Sequence, residues 1–400
     1  MSENASATDG ESVATVTPET LKERIDAGED VFILDARSEG DFEEWRIDGE
    51  PVDVVNYPYF ELIDDVPEDL HETLPEGERI TVLCAKGGAS EMVAENLQAE
   101  GYDVEHLERG MKGWARIYEY AELDTDTDAT VAQYRRPSSG CLAYLVVSDG
   151  EAAVIDPLRA FTAEYVQDAR ALGADLTYAL DTHVHADHIS GIRDLSGEAN
   201  AEPGADADAT PVLPAPAVAR GVEYDVTYET VEDGDTLDVG DVEIEVVHTP
   251  GHTTGMTAYK VGDVLFTGDG LFTESVARPD LEDPEAARDA ARVLYDSLQT
   301  VLEMPDETVV APAHFSDAAT PNDDGTYTAE LGDLVEHMAA LSMDEEEFVE
   351  FIVADMPPRP ANYEEIIATN LGHESPDDER AFELELGPNN CAASEDALTN

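Results

Sequence analysis

Four hundred residues exceed a single hydrophobic core of about 100–200 residues, so two domains are expected. The 92 acidic against 21 basic residues give a formal charge of −71, which excludes nucleic acid and anionic membrane surfaces as partners. A hydrophobic content of 42%, spread in strand-like runs, excludes a disordered acidic chain.

The leader, residues 1–12 (MSENASATDGES), is polar and predicted to be disordered. It lacks the basic and apolar regions of a secretory signal, and no segment approaches the roughly eighteen apolar residues of a membrane span. A soluble, cytoplasmic protein is therefore expected, with the sequence leaving homo-oligomerisation open. Pro18–Ala27 has helical spacing and leads into VFILDAR (Val31–Arg37), an apolar run that ends in a charged pair. ITVLCAKGGAS (Ile80–Ser90) reads as a buried strand ending in a glycine-rich turn that opens the helix EMVAENLQAEG. Strands alternating with helices predict a parallel α/β sheet with reactive groups at the carboxyl ends of strands, where Cys84 falls.

The polar stretch ELDTDTDAT, residues 122–130, reads as a linker closing a first domain over residues 13–121. Beyond it the style changes to short alternating strands (CLAYLVV, EAAVIDP), a helix over Ala163–Leu172, and hairpin-like pieces over Thr236–His248 and Met256–Thr267. Ser196–Pro216 reads as an acidic surface insertion, helices are predicted over Pro284–Leu302 and Asp344–Ala354, and residues 373–400 as an acidic tail. Cys84, Cys141 and Cys391 are far apart and odd in number, which argues against a disulfide framework and fits a reducing compartment. Cys141, near the first strands of the second domain, reads as packing.

DTHVHADHISG (Asp181–Gly191) gathers three histidines and two aspartates in a chain with only ten histidines. In an extended segment alternate side chains share a face, so His183 and His185 point together, and Asp187 and His188 follow where the chain turns. TPGHTTG adds His252, VLFTGDGLF delivers Asp269 at a strand end, and APAHF delivers His314. Neutral imidazole and carboxylate are the donors that borderline first-row metals prefer. His248 is assigned a structural or supporting role.

These four segments, in this order, resemble the metallo-β-lactamase superfamily, which implies an αββα sandwich with the metal at one edge over about Val131–Gly372. That family hosts several reactions, so the fold does not select one. VARPDLEDP, with Arg278 and Asp280, and MPPRPANYEEIIATNLG (Met356–Gly372) are similar to elements of the persulfide dioxygenase branch. Proline stands where that branch has threonine. The resemblance implies one Fe(II) held by His183, His252 and Asp269, with His185, Asp187, His188 and His314 lining a second-metal region. It implies supporting charge from Arg278. A glyoxalase II-like hydrolase would instead place a pair of Zn(II) ions among all seven residues.

LDAR, VLCAKGGAS and HLERGMKGW make the first domain resemble a rhodanese domain, a parallel sheet with flanking helices. The resemblance implies that Cys84 carries sulfane sulfur and that Asp35 and Arg37 form a structural pair. Where many such loops end in arginine this chain has Ala89 and Ser90, which leaves Lys86 to supply positive charge. Lysine is otherwise confined to positions 22, 112 and 260, a balance that resembles proteins of salt-accumulating halophiles. The combined expectation is an iron-dependent persulfide dioxygenase fused to a sulfurtransferase, acting on a small thiol persulfide, O₂, and sulfite or thiosulfate. The rivals are a dizinc thioester hydrolase with a vestigial rhodanese domain, and a non-catalytic persulfide sensor or sulfur carrier.

Overall fold

The computed structural model describes residues 12–63, 66–197, 207–316, 318–354 and 356–387. The chain divides into two compact units, Met1–Ile117 and Tyr118–Asn400. Most of the leader and Cys391 lie outside the described residues.

In the first unit β1 (Ala14–Val16), β2 (Val31–Asp35), β3 (Val52–Asn56), β4 (Ile80–Leu83) and β5 (Val104–Leu107) form a sheet in the order β1-β5-β4-β2-β3. Every pairing is parallel. Both faces are covered, which is why these strands are apolar without strict alternation. Leu34, Ile80 and Val82 pack on one side, and Val31, Ile33 and Leu83 on the other with Met111 and Trp114. The first helix, Pro18–Asp26, begins where the sequence predicts, because Thr17 caps the Thr20 amide and proline fits the first turn.

The second unit holds two sheets. The first runs β6 (Glu119–Glu122), β7 (Thr130–Arg136), β8 (Cys141–Ser148), β9 (Glu151–Ile155), β10 (Asp175–Leu180), β11 (Thr210–Pro214) and β12 (Glu229–Val231), each beside the next. The second runs β13 (Thr236–Val239), β14 (Val242–His248), β15 (Thr257–Val261), β16 (Val264–Gly268), β17 (Val309–Pro312) and β18 (Ala329–Glu330). Strand β8 shows how the layers arise: Leu142, Tyr144 and Val146 enter the core shared with Ile244, Tyr259 and Phe266 of the other sheet. Its alternate residues Ala143 and Leu145 face Tyr165 and Val166 of the helix Thr162–Ala171. The outer face of the second sheet packs Leu265 and Val310 against Leu294 and Leu298 of the helix Ala287–Val301. Helix, sheet, sheet and helix make the αββα sandwich.

Three boundaries differ from the sequence reading. Residues 119–121, assigned to the first domain, lie in β6, which pairs antiparallel with β7 from Glu119↔Arg135 to Glu122↔Ala132. Of the supposed linker, residues 122–130, Glu122 ends β6 and Thr130 opens β7, so residues 123–129 connect the two strands of a hairpin, and Leu123 N–H closes it on the Val131 carbonyl at 2.8 Å. Within the supposed insertion, residues 198–206 are outside the described residues, but Thr210–Pro214 is the buried strand β11, parallel to β10 and β12. Its two prolines disguise it, since proline removes ladder donors and is usual only at edges or bulges. The supposed tail contains the helix Asp378–Leu384, capped by Asp377 and anchored by buried Phe382 and Leu384. Residues 388–400 lie outside the described residues.

Candidate metal centre

Parallel pairing of β9 with β10 and of β16 with β17 brings their carboxyl ends to shared edges of the sandwich. Asp156 follows β9, the loop Asp181–Ser190 follows β10, His252 follows β14, Asp269 follows β16 and His314 follows β17. Gly251 makes the turn before His252 with φ 140°, and any Cβ there would lie 2.5 Å from Leu294 Cα. Its lack of a side chain thus lets the loop seat on the helix Ala287–Val301 rather than crowd the site.

His183, His252 and Asp269 converge, all at most 1% exposed. His183 Nε2 and His252 Nε2 lie 3.6 and 3.5 Å from Asp269 Oδ2. The opposite edges of both rings fix their protons. Thr182 donates its amide and hydroxyl to the Asp156 carboxylate at 2.7 and 2.9 Å, so its oxygen accepts from His183 Nδ1–H at 2.9 Å. His252 Nδ1–H donates to the Arg278 carbonyl at 3.0 Å. Burial holds both imidazoles below their ordinary basicity, aided at His183 by the neighbouring His185. Each Nε2 is left as a bare lone pair. The two nitrogens and Asp269 Oδ2 are buried without hydrogen-bond partners. Three lone-pair donors facing one another are costly alone and are resolved by a cation.

Asp187, His188 and His314 form a neighbouring group, joined by Cys141. His314 Nε2 lies 2.7 Å from Asp187 Oδ2, and its Nδ1 makes a short contact with Asp269 Oδ1. Burial would discourage its charge, but Asp269 and Asp187 outweigh burial and raise its basicity well above that of free imidazole. Burial likewise opposes charge on Asp269, whose carboxyl is nevertheless held far below the usual range by His314. His185 turns elsewhere: its Nε2 donates to Asp156 Oδ1 at 3.0 Å and lies 3.8 Å from Asp181, while Nδ1 is buried without a partner. Burial pushes Asp181 up to about 6.

The sequence reading missed the residues that hold this loop. Asp156 is buried at φ 52°, a left-handed conformation that aspartate tolerates better than most residues. Asn370 donates to the carbonyls of His185 and His188 at 3.0 and 2.8 Å and accepts from Ser190 N–H at 2.9 Å. Only its place in the family-like closing segment signalled it. The Arg278 guanidinium pairs with Asp280 at 2.8 Å and donates to the Pro357 and Pro358 carbonyls, while its own carbonyl accepts from His252 Nδ1–H and its charge, adding to burial, helps to lower the basicity of that ring. His248 is structural, with Nε2 on the Thr254 carbonyl at 3.1 Å.

In the first unit Cys84 follows β4, 5% exposed, and accepts from Gly87 N–H at 3.1 Å. Its Sγ is 3.4 Å from the Ser90 hydroxyl, and the loop runs into the helix Gly88–Ala99, whose amino end favours an anionic sulfur. Gly110 closes the loop from behind, where a Cβ would meet the Cys84 carbonyl at 2.0 Å. Lys86 is exposed in the loop. Asp35 and Arg37 form a buried pair at 2.6 Å, with Arg37 also donating to the Trp45 carbonyl.

A sandwich carrying histidine and aspartate donors at one edge, with a cysteine loop on a separate parallel sheet, defines a two-domain metalloenzyme architecture. The Metallo-beta-lactamase superfamily matches residues 137–314, and the Rhodanese-like domain residues 17–117. The chain is 31% identical over 172 residues to the mitochondrial persulfide dioxygenase ETHE1 of Homo sapiens, covering 41% of this chain and 59% of that protein. It is 31% identical over 161 residues to a hydroxyacylglutathione hydrolase of Pectobacterium atrosepticum, covering 40% and 56%. A probable metallo-hydrolase of Burkholderia pseudomallei is 30% identical over 217 residues, covering 46% and 72%. The crystal structure of ETHE1 from Myxococcus xanthus superposes with a TM-score of 0.50 at 28% identity, over 60% of this chain and 98% of that one. The chain spans about half the length, 46%, of the beta-lactamase hydrolase-like proteins of Xylella fastidiosa that it also matches. The protein belongs to the metallo-beta-lactamase superfamily and carries an amino-terminal rhodanese-like domain.

Proposed function

We propose that the second unit oxidises a low-molecular-weight thiol persulfide with dioxygen, using one Fe(II) held by His183, His252 and Asp269. The observation that carries this reading is the three buried, proton-free donors of that group: two imidazole nitrogens and one carboxylate oxygen, the donor set of non-haem iron oxygenases. Similarity to proteins named persulfide dioxygenase supports it. Bound there, ferrous iron supplies the open positions and electrons that dioxygen chemistry requires. The chain's own part is to hold His183 and His252 in the tautomer that frees Nε2, through Thr182 and the Arg278 carbonyl, and to keep the donors buried.

The overall change converts R–S–SH, O₂ and H₂O into R–SH and sulfurous acid. The S–S bond breaks, the outer sulfur gives its electrons to dioxygen, and that sulfur gains both oxygens of O₂ and one from water. In the first unit Cys84, as a persulfide, would pass its outer sulfur to sulfite, giving thiosulfate and the free thiol. Sulfite and thiosulfate then link the two chemistries.

The second reading, a dizinc thioester hydrolase, is favoured by the neighbouring Asp187, His188 and His314 and by similarity to a hydroxyacylglutathione hydrolase. Metal analysis of anaerobically purified protein separates the two. About one iron per chain, with oxygen uptake on adding a small persulfide, supports the dioxygenase. Two zinc ions per chain, with thioester cleavage and no oxygen uptake, would falsify it.

A further inference from the structure

We infer that Arg109 binds the sulfur oxyanion, sulfite or thiosulfate, at the Cys84 loop. The inference rests on the reading of Cys84 as a carrier of sulfane sulfur and gives that reading its anion-binding group. Four described residues other than glycine have positive φ, and three of them, Asp149, Asp156 and Asn362, are of the types that tolerate the left-handed region. The fourth is Arg109 at φ 59°, where glycine would sit without steric cost. Its side chain is exposed, and among the described residues its guanidinium has no hydrogen-bond, ion-pair or ring partner. Arg24, Arg37, Arg46 and Arg79 of the same unit each pair with a carboxylate. A guanidinium left unpaired in a chain of net charge −71, on a backbone that disfavours arginine, is available to a ligand.

The backbone of Arg109 lies against the cysteine loop. A Cβ on Gly87 would stand 3.0 Å from Arg109 N and 3.1 Å from its Cα, and Gly87 N–H is the donor to Cys84 Sγ. Just beyond Arg109, Met111 and Lys112 N–H donate to the Cys84 and Ala85 carbonyls at 2.8 and 3.0 Å, so backbone bonds fix this segment on the loop that holds the sulfur. The loop's own residues offer one cation, Lys86. Sulfite and a persulfide anion repel each other, and the acidic surface repels both. A guanidinium offsets this repulsion, stays charged at any working pH and presents its planar fork of N–H donors to two oxygens at once. In the transfer the sulfite sulfur uses its lone pair to form a bond with the outer sulfur of the Cys84 persulfide. The old S–S bond breaks, its electron pair leaves on Cys84 Sγ as thiolate, and thiosulfate departs without any external oxidant. Loading of Cys84 from thiosulfate is the reverse of this step, with Arg109 holding the same oxygens.

The test uses the full chain with Arg109→Gly, which suits the left-handed backbone and should leave Tm unchanged or raised. Cys84 is loaded with sulfane sulfur, verified by mass, and unloaded by sulfite or by dithiothreitol, a neutral acceptor. Arg109→Gly is expected to slow unloading by low sulfite about 10–100-fold, the scale of a hydrogen bond to a charged group, through a raised KM, with the dithiothreitol rate unchanged. Arg109→Lys should recover part of the loss. Equal slowing with both acceptors, or no slowing with sulfite, overturns the inference. Should the glycine variant fail to fold, Arg109→Gln takes its place. Binding is read separately: sulfate, which takes no sulfur, should protect Cys84 of the parent from iodoacetamide at ionic strength held with chloride, and should not protect it in Arg109→Gly. Protection that is equal in the two, or absent from the parent, overturns the inference. A parent whose Cys84 takes up no sulfane sulfur refutes the sulfurtransferase reading instead, and the sulfate protection still decides whether Arg109 holds an oxyanion.

Discussion

Arg136 and Glu385 meet at 2.6 Å with side chains 0% and 1% exposed, joining β7 to the end of the chain's last described helix. The second oxygen of Glu385 accepts Ile189 N–H at 2.8 Å, so one buried carboxylate ties the carboxyl-terminal segment to the histidine loop. The Arg136 guanidinium also lies over the rings of Phe161 and Phe382. Removing one partner of a buried pair leaves the other's charge uncompensated, at a cost of about 3–5 kcal/mol. Glu385→Ala is expected to destabilise the second unit by that order in urea unfolding. A change within experimental error would show that solvent reaches the pair.

Asp156 binds no proposed metal directly, yet it holds Thr182 and His185 with both oxygens. Asp156→Asn keeps the shape but replaces one acceptor oxygen by a donor, and it frees the Thr182 hydroxyl to compete for His183. Loss of such outer partners typically weakens metal binding about 10–100-fold. Chelator competition should show a drop of that size with helix and sheet content unchanged.

The sequence displays the site as four local patterns because the donors follow strands in short, distinctive runs: the histidine-rich DTHVHADH, and TPGH, TGDG and APAH with glycine or proline close by. The parallel first sheet and the Cys84 loop are legible for the same reason, with strand, turn and helix contiguous. Cys141 gives no such signal. Its place beside His314, 173 residues later, comes from the backbone bridge at the start of β8, and in sequence it is one apolar-run residue among several. Asp156 and Glu385 are equally silent, being single acids among 92 whose burial only tertiary packing decides. Strand β11 and the hairpin edge β6 are missed because proline and glutamate mask short strands whose partners are supplied by the rest of the sheet.

The net charge of −71 carries a consequence for solution conditions. Self-repulsion across an acidic surface weakens the compact state, and the Debye length shrinks from about 10 Å at 0.1 M to about 3 Å at 1 M salt. Thermal unfolding should therefore move to higher temperature as KCl rises into the molar range. A flat or falling Tm would remove the halophile reading.

The two chemistries should separate by substitution. Cys84→Ser is expected to abolish sulfur transfer to cyanide or sulfite, since a hydroxyl cannot carry sulfane sulfur, while oxygen uptake with an added small persulfide stays near the parent value. Asp269→Ala removes the carboxylate of the triad and should do the reverse, with oxygen uptake lost and sulfur transfer kept. Loss of oxygen uptake in Cys84→Ser would mean that persulfide reaches the metal only through the rhodanese cysteine. Absence of sulfur transfer in the parent would make the first unit a docking or sensing module.

The most direct measurement is the ratio of sulfite formed to dioxygen consumed when iron-loaded, full-length protein carrying Cys84→Ser receives a low-molecular-weight persulfide under limiting oxygen. That substitution prevents sulfite from being drawn off as thiosulfate. The expected result is one sulfite per dioxygen, abolished by Asp269→Ala. Sulfite-free turnover, or cleavage of a thioester by zinc-loaded protein with no oxygen consumed by the iron form, would contradict the account.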